Sequence, residues 1–387
     1  MIIHKPEVRI VGEILEVSAR VELRSPKRGR SIHLWFRFPE NTHSLLSLDS
    51  DPFVVALLLL AMQNGEDIDV KGTLSPRLLA GLHEYQQKYH SWFPKRFHLV
   101  EIKPSGLRET SVENITRISS VDACAFSGGV DSFYTLLKLL GRGNSDRGSN
   151  LKYTLFMSGF DMPLHLTDSI SELTRSYSTL MTELGINFIH GSTNIREFVN
   201  SVDWTNSHGQ ALSAAALFFR NSIDRFFIPS SYTRETYPKW GTHPELDPLL
   251  SNETMKFVHH GAEANRVKKL ETVSLAPESY NRLRVCWIQD IGLKNCGRCE
   301  KCVRTMIALD LLGKLGAYST FITPLSRRKV RSLILRTHQS RLFARELIAA
   351  AARKKVYHHA FDLSISLLRR EFFYRGTRKL RNISHSA

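Results

Sequence analysis

Residues 121–140 read VDACAFSGGVDSFYTLLKLL, and this stretch decides the fold class that we predict. An apolar run, 121–126, ends at Ser127-Gly128-Gly129-Val130-Asp131-Ser132, and a helix-like segment follows over 133–140. Two glycines allow a tight turn that brings backbone N–H groups against an anion, and the N-terminus of the next helix adds partial positive charge. The order predicts a phosphate-binding loop, with a plain glycine-serine turn as the alternative.

The side chains of this loop suit a nucleotide that carries magnesium. Ser127 and Ser132 can donate hydroxyl hydrogen bonds to phosphate, whereas Asp131 would repel it unless a Mg²⁺ ion lies between them. The Walker pattern that ends in Gly-Lys-Ser/Thr does not occur here. ATP with Mg²⁺ is therefore the predicted ligand.

The hexapeptide resembles the pyrophosphate loop of the PP-loop ATP pyrophosphatase superfamily, whose motif is SGGxDS. The resemblance implies that the loop grips the leaving pyrophosphate while an acceptor attacks the α-phosphate and AMP is transferred or released. The ATP-binding residues that it implies in this chain are Ser127, Gly128, Gly129, Val130, Asp131 and Ser132.

Four of the five cysteines lie close together, at Cys286, Cys296, Cys299 and Cys302. Thiolates at CxxC spacing can surround one tetrahedral ion with Zn–S distances of about 2.3 Å, so this cluster predicts a structural zinc site without an open position. Disulfides and a redox pair are the alternatives. Cys124, on the apolar run before the loop, is predicted to be a small core residue.

The loop and the cysteine cluster together resemble the 7-cyano-7-deazaguanine synthase family and its relatives over residues 121–312. The resemblance implies that a carboxylate is activated as an adenylate and converted with ammonia, and that the four clustered cysteines bind Zn²⁺. The chain departs from the family pattern through a longer gap after Cys286 and large additions at both ends. These departures leave the acceptor open, because relatives also serve natural-product pathways and phage defence.

Beyond the loop, short apolar runs alternate with amphipathic segments. Strands are predicted at 153–157, 187–190, 225–229 and 256–259, and helices at 168–184 and 210–223. This alternation predicts an α/β fold with a doubly wound, Rossmann-like parallel sheet, which the resemblance narrows to the adenine nucleotide alpha hydrolase-like form. Ligands of such sheets bind at the carboxyl ends of the strands.

Polar residues after the predicted strands are candidates for the nucleotide site. Gly159 and Phe160 follow the second strand, where superfamily relatives hold adenine through backbone groups. Asp161 is predicted to meet a ribose hydroxyl or to cap a helix. His208, before Gly209 and an alanine-rich helix, is predicted to face phosphate or transfer a proton, with an ordinary helix N-terminal residue as the alternative.

Two basic residues complete the predicted catalytic set. Arg266 and Lys269 are candidates to neutralise the α-phosphate, because the pentavalent phosphorus gains negative charge during transfer. Solvated charges on a helix are the alternative. With Asp131 and Ser132 they form the catalytic residues that we predict.

We predict three regions along the chain. Residues 1–104 form an α+β domain with strands at 8–23, 31–38, 68–72 and 97–102 and helices at 51–62 and 75–89; 120–315 form the PP-loop domain with its zinc knuckle; and 320–387 form a basic helical tail. The segment 103–119 is predicted to be a linker, 25–29 a turn, and 141–150 a second loop.

The net charge of +16 is concentrated at the C-terminal end, where 321–387 contain 16 lysines and arginines against three acids. Apolar and basic residues repeat there at helical spacing, which predicts helices with one cationic face. Nucleic acid, an acidic protein or an anionic membrane surface would suit this face, and a solvated bundle that caps the catalytic domain is the alternative.

Composition favours a cytoplasmic enzyme. The longest apolar run, 53–62, is about half of what spans a bilayer, and the first residues lack the apolar core of a signal peptide. No transmembrane segment is expected, and an oligomer is compatible with the sequence.

The function that we predict is AMP-forming adenylation of a carboxylate or carbonyl oxygen, on a small molecule or a macromolecule, followed by attack of ammonia or another nitrogen or sulfur donor. One rival is a tRNA or small-molecule thiolation enzyme of the same superfamily, which would need a reactive thiol. The other is an ATP- or RNA-binding module without turnover.

Overall fold

Eleven strands of the described chain form one mixed sheet. The computed structural model describes residues 1–23, 31–109, 120–142 and 149–368. The strands are β1 (Ile2–Ile3), β2 (Glu7–Val11), β3 (Ile14–Glu22), β4 (Ser31–Pro39), β5 (Ile68–Leu74), β6 (Ile102–Leu107), β7 (Asp122–Ala125), β8 (Leu151–Ser158), β9 (Asn187–Thr193), β10 (Arg225–Pro229) and β11 (Lys256–His260). Their order is β11-β10-β7-β8-β9-β4-β3-β1-β5-β6, and β2 pairs with β3 outside this path.

Helices connect and follow these strands. They are α1 (Asp51–Asn64), α2 (Pro76–Trp92), α3 (Val130–Leu139), α4 (Thr167–Glu183), α5 (Ile195–Val199), α6 (Trp204–Leu217), α7 (Arg266–Val273), α8 (Glu300–Leu311), α9 (Arg327–Arg331) and α10 (His338–Arg353). Residues 357–368 are also helical and are called the C-terminal helical segment below.

The strands β7 to β11 pair in parallel, and their order reverses between β7 and β10. Strands buried on both faces are expected to be continuously apolar, and Phe226, Phe227 and Ile228 of β10 are all buried. The predicted α/β class with a doubly wound sheet is therefore confirmed at the level of a mixed α/β fold with a large, mostly parallel sheet.

The N-terminal strands continue this sheet. Antiparallel β4 joins β9, with Phe36 opposite Thr193 and Arg37 opposite Ser192. Aromatic side chains bury the junction: Phe36 of β4 packs against Phe53 of α1 and Phe218 at the end of α6, with ring centroids 5.9 and 5.0 Å apart. Residues 1–104, predicted as a domain of their own, thus share a sheet and an apolar core with the strands that follow.

Two strand predictions in this region are wrong. The segment 8–23 forms two strands, β2 and β3, because Gly12 turns the chain at a φ of +62°. The strand predicted at 97–102 starts only at Ile102, because the preceding chain turns locally, with the Arg96 and Phe97 amides donating to the Phe93 carbonyl. β6 therefore occupies the start of the predicted linker. The turn at 25–29, the linker residues 110–119 and 143–148 of the second loop lie outside the described residues.

The chain divides into two compact units. The sheet unit comprises Met1–Ser127 and Thr135–Glu263, and the helical unit comprises Gly128–Tyr134 and the chain from Ala264 onward. The predicted boundary near residue 104 falls inside the sheet unit, and the one at 315–320 falls inside the helical unit.

Much of the predicted basic tail is packed within the helical unit. α10 contacts both α7 and α8, and it buries Phe343, Ala344 and Leu347. The apolar spacing of the tail predicted burial for Phe343 and Leu347, but it predicted the same for Ile334 and Phe361, which are more than half exposed. Residues 369–387 lie outside the described residues.

We predict that Gly81→Ala destabilises the protein by about 1–3 kcal/mol. Alanine is the better helix former by about 1 kcal/mol, but a Cβ at Gly81 of α2 would lie 2.0 Å from the Leu249 carbonyl oxygen. Urea denaturation measures the change. Gly316→Ala is the matched control, because a Cβ there meets nothing within 4 Å. A G81A variant as stable as the wild type would contradict this packing.

Candidate phosphate-binding loop and metal centre

The glycine-rich loop follows β7, the strand at which the sheet order reverses. β7 lies between β8 and β10, so the chain leaves it at the switch point of the doubly wound sheet. Loops after strands at such a point are the usual ligand-binding positions of open α/β sheets. The predicted strand, loop and helix are therefore found in the predicted order, with α3 starting at Val130.

Backbone and side-chain hydrogen bonds fix the loop. Gly128 has a φ of +72°, a conformation that glycine adopts without the cost a side chain would add. Its carbonyl oxygen accepts from the Arg284 amide at 2.8 Å, and the Gly129 carbonyl accepts from the Ser132 hydroxyl at 3.0 Å. Within the sheet unit, the Ser127 carbonyl accepts from the Tyr177 hydroxyl at 3.3 Å.

Asp131 binds both of the basic residues predicted for catalysis. Its carboxylate oxygens lie 2.9 Å from Arg266 Nη1 and 3.2 Å from Lys269 Nζ, and the Lys269 side chain is 1% exposed. Burial alone would raise the pKa of Asp131, but the charges of Lys269 and Arg266 outweigh it and lower the pKa to about 2. Residues 135 positions apart in sequence thus form one ionised cluster, which we call the Asp131 cluster (Asp131, Arg266, Lys269).

Sequence reasoning missed two residues beside the Asp131 cluster. Arg304 of α8 lies 3.2 Å from Glu300 and 4.1 Å from the Phe343 ring, and its charge also lowers the pKa of Asp131. Glu346 of α10 has its pKa raised by burial, against the effect of the Arg266 backbone N–H and of nearby cations. The sequence contains one indication of Glu346, because it is one of only three acidic residues in the strongly basic stretch 321–387.

In the sheet unit, the residues predicted for adenosine gather around Trp204, which the sequence analysis did not select. The Trp204 indole Nε1 donates to Asp161 at 2.8 Å, and the Phe160 ring lies 5.4 Å from the Trp204 ring. Gly159 has a φ of +87°, and a Cβ there would lie 1.9 Å from the Thr193 carbonyl oxygen. The Asp161 carboxylate therefore accepts a hydrogen bond from the Trp204 indole.

His208 and Gly209 lie inside a helix, which corrects the prediction that they precede one. α6 begins at Trp204 with Asp203 as its N-cap, so His208 is in the second turn. Its Nδ1 donates to the Trp204 carbonyl at 3.0 Å, and burial lowers its pKa. A Cβ at Gly209 would lie 2.1 Å from the Gly241 carbonyl oxygen, so this glycine serves close packing.

The four clustered cysteines form a candidate metal centre. One Sγ atom from each of Cys286, Cys296, Cys299 and Cys302 lies within 4.8 Å of the others. The Cys286–Cys299 and Cys296–Cys302 sulfur atoms are 3.9 and 3.8 Å apart, close to the roughly 3.8 Å that a tetrahedral Zn–S₄ site requires. The cluster could hold a metal such as zinc.

Backbone amides already point at these sulfur atoms. The amides of Cys299 and Arg298 donate to Cys296 Sγ at 3.3 and 3.4 Å, and the Cys302 amide donates to Cys299 Sγ at 3.5 Å. A hydrogen bond from the Cys302 side chain lowers the pKa of Cys299 to about 4. Donors of this kind stabilise thiolates, so the residues fit a bound cation.

All five cysteines lie in the described part of the chain, and none forms a disulfide. Cys124 is fully buried in β7, as predicted for a core residue, and burial raises the pKa of its thiol.

No protein-family model, curated protein or solved structure matches the chain, so the functional argument is carried by the geometry of its own residues.

Among the described helices, none combines the length and apolarity needed to cross a bilayer. The longest apolar run, 53–62, is part of α1 and is buried in the core of the sheet unit.

We predict about one zinc ion per chain in the purified protein, lost in a Cys299→Ser variant together with part of the thermal stability, because the ion ties four thiolates to one another. Elemental analysis by mass spectrometry and a melting curve measure both effects. Cys124→Ala is the control and should keep its zinc. Metal-free wild-type protein with four titratable thiols would instead favour a redox or sulfur-transfer role for the cluster.

Proposed function

We propose that the chain is an AMP-forming, ATP-dependent enzyme of the PP-loop type. A carboxylate or carbonyl oxygen would attack the α-phosphorus of ATP, the α–β phosphoanhydride bond would break, and pyrophosphate would leave. Ammonia or another nitrogen or sulfur donor would then displace AMP from the activated carbon. The single observation that carries the proposal is the Asp131 cluster, in which the motif carboxylate and two basic side chains meet at the first turn of α3.

The charges of this cluster support phosphate chemistry. Lys269 and Arg266 are held side by side in a buried environment, where cations stabilise the negative charge of a transferring phosphoryl group more strongly than in water. Asp131 competes with a polyphosphate for the same two cations. Binding of ATP therefore exchanges one set of ion pairs for another, and the loop glycines let the backbone approach the phosphates.

Asp131 is the residue that would hold Mg²⁺, since it stays ionised and offers the carboxylate oxygens that this ion prefers. The ion would neutralise charge on the pyrophosphate.

The alternative function, a thiolation enzyme of the same superfamily, has less support. It needs a nucleophilic thiol outside the metal centre, and Cys124 is the only cysteine left once the cluster binds a metal. Cys124 is 0% exposed, and its raised pKa keeps it protonated. Nitrogen transfer is therefore the form of the reaction that we favour.

We predict that Asp131→Asn lowers the release of pyrophosphate and AMP from ATP at least 100-fold, because the motif loses its metal-binding charge. The variant also loses stability, since two mostly buried cations lose the carboxylate that they share. Asp362→Asn is the matched control: Asp362 is likewise a buried carboxylate that binds two cations, Arg327 and Arg331, in the same unit. It should keep turnover and should lose less stability than Asp131→Asn, because Arg327 and Arg331 are 55% and 41% exposed.

A binding measurement that needs no acceptor substrate separates ATP binding from turnover. Mg-ATP and its non-cleavable α,β-methylene analogue should both raise the melting temperature of the wild type, by mass action, and of Asp362→Asn, but not of Asp131→Asn. Release of ADP and phosphate would overturn the proposal, because it places the cleavage at the γ-phosphate. Binding of ATP without release of AMP and pyrophosphate, when candidate acceptors and donors are supplied, would favour the alternative of an ATP-binding module without turnover.

We also propose that the basic C-terminal residues contact a polyanion, either nucleic acid or an acidic protein. Arg328, Arg336, Arg345, Arg353, Lys354 and Lys355 are exposed. A chain that ends at Leu368 keeps the packed helices and removes residues 369–387, which add further lysines and arginines.

We predict that this shortened chain binds single-stranded RNA at least tenfold more weakly than the full chain, with a smaller salt slope, because fewer phosphates are neutralised. Filter binding at several salt concentrations measures both quantities. Equal affinity and slope would show that residues 369–387 have no such role.

A further inference from the structure

The helical unit contains a cavity of about 440 Å³ that the proposed reaction does not use. The residues of its wall on which the argument depends are Asp310, His358 and His359. Asp310 belongs to α8, and the two histidines lie at the start of the C-terminal helical segment. Two imidazoles and a carboxylate thus border one space.

These three side chains are close enough to share one ion. One potential ligand atom from each lies within 4.8 Å of the other two. His359 Nε2 is 2.6 Å from Asp310 Oδ2, and the rings of His358 and His359 have centroids 4.2 Å apart. Asp310 and His358 are both exposed, so small movements of their side chains would bring the three ligand atoms within reach of one ion.

His359 brings a buried imidazole to this set. Its Nε2 lies 2.6 Å from Asp310 Oδ2, so an ion shared by the two side chains would take the place of the proton between them. The other ring nitrogen, Nδ1, is buried and has no hydrogen-bond partner among the described residues, and His359 is 4% exposed.

A simple helix-to-helix contact explains only part of this arrangement. The hydrogen bond from His359 to Asp310 would fasten the C-terminal helical segment to α8 by itself. It accounts neither for His358 beside it nor for the cavity in front of both rings. Arg327, which also lines the cavity, is bound by Asp362 through two hydrogen bonds of 2.8 and 3.1 Å, so its positive charge is compensated.

We propose that Asp310, His358 and His359 form a second metal site, for a divalent transition-metal ion, separate from the cysteine cluster and beyond the proposed adenylation. Imidazole and carboxylate suit Zn²⁺, Co²⁺ and related ions, and three ligands leave positions open toward the cavity. The cysteine centre, with four ligands, has no open position.

The test adds Co²⁺ to the full-length protein as purified, with its cysteine centre left intact. Equilibrium dialysis should show one further Co²⁺ per chain, and its absorption should lack the intense thiolate-to-metal band that a cysteine site gives. Asp310→Asn and His358→Ala should each weaken this binding at least about tenfold. His338→Ala removes another exposed histidine of the same unit and should leave the affinity unchanged.

Because Asp310 and His358 are exposed, these variants should keep the melting temperature of the wild type within a few degrees, so that loss of binding is not loss of folding. Three results would overturn the proposal: no further Co²⁺ bound, equal affinity in Asp310→Asn and His358→Ala, or a thiolate band from the added ion. The last result would place the cobalt among the cysteines.

Discussion

Asp131 stays ionised on a mostly buried turn mainly because Lys269 and Arg266 both reach it. Lys269 is almost fully enclosed, and a buried ammonium without a partner would lose its proton or unfold its surroundings. The carboxylate and the two cations therefore require one another. This mutual requirement joins the start of α3 to the start of α7, and it gives the glycine-rich loop a charge arrangement that a plain turn would not need.

Local signals in the sequence identified much of the fold. The glycine-rich loop, the strands at 225–229 and 256–259 and the cysteine cluster depend on neighbours in sequence, and all were found where predicted. Strand order was not predicted, yet the doubly wound arrangement followed from the alternation of strands and helices. The core role of Cys124 followed from its apolar neighbours alone.

Features that depend on distant residues were beyond this reasoning. The pairing of β4 with β9 needs Phe36 and Thr193 to meet, and no short pattern encodes that contact. α6 starts six residues earlier than the alanine-rich run suggested, because Asp203 caps it. Trp204 became the centre of the predicted adenosine residues through an indole hydrogen bond to Asp161 that the sequence could not reveal.

The antiparallel joint between β4 and β9 has a consequence for how the protein can be divided. Without the first hundred residues, β9 would present a row of unpaired peptide groups along an apolar rim, a template for strand addition by other chains. The N-terminal strands act as a built-in cover for that rim. A fragment that starts after the N-terminal strands is therefore expected to self-associate.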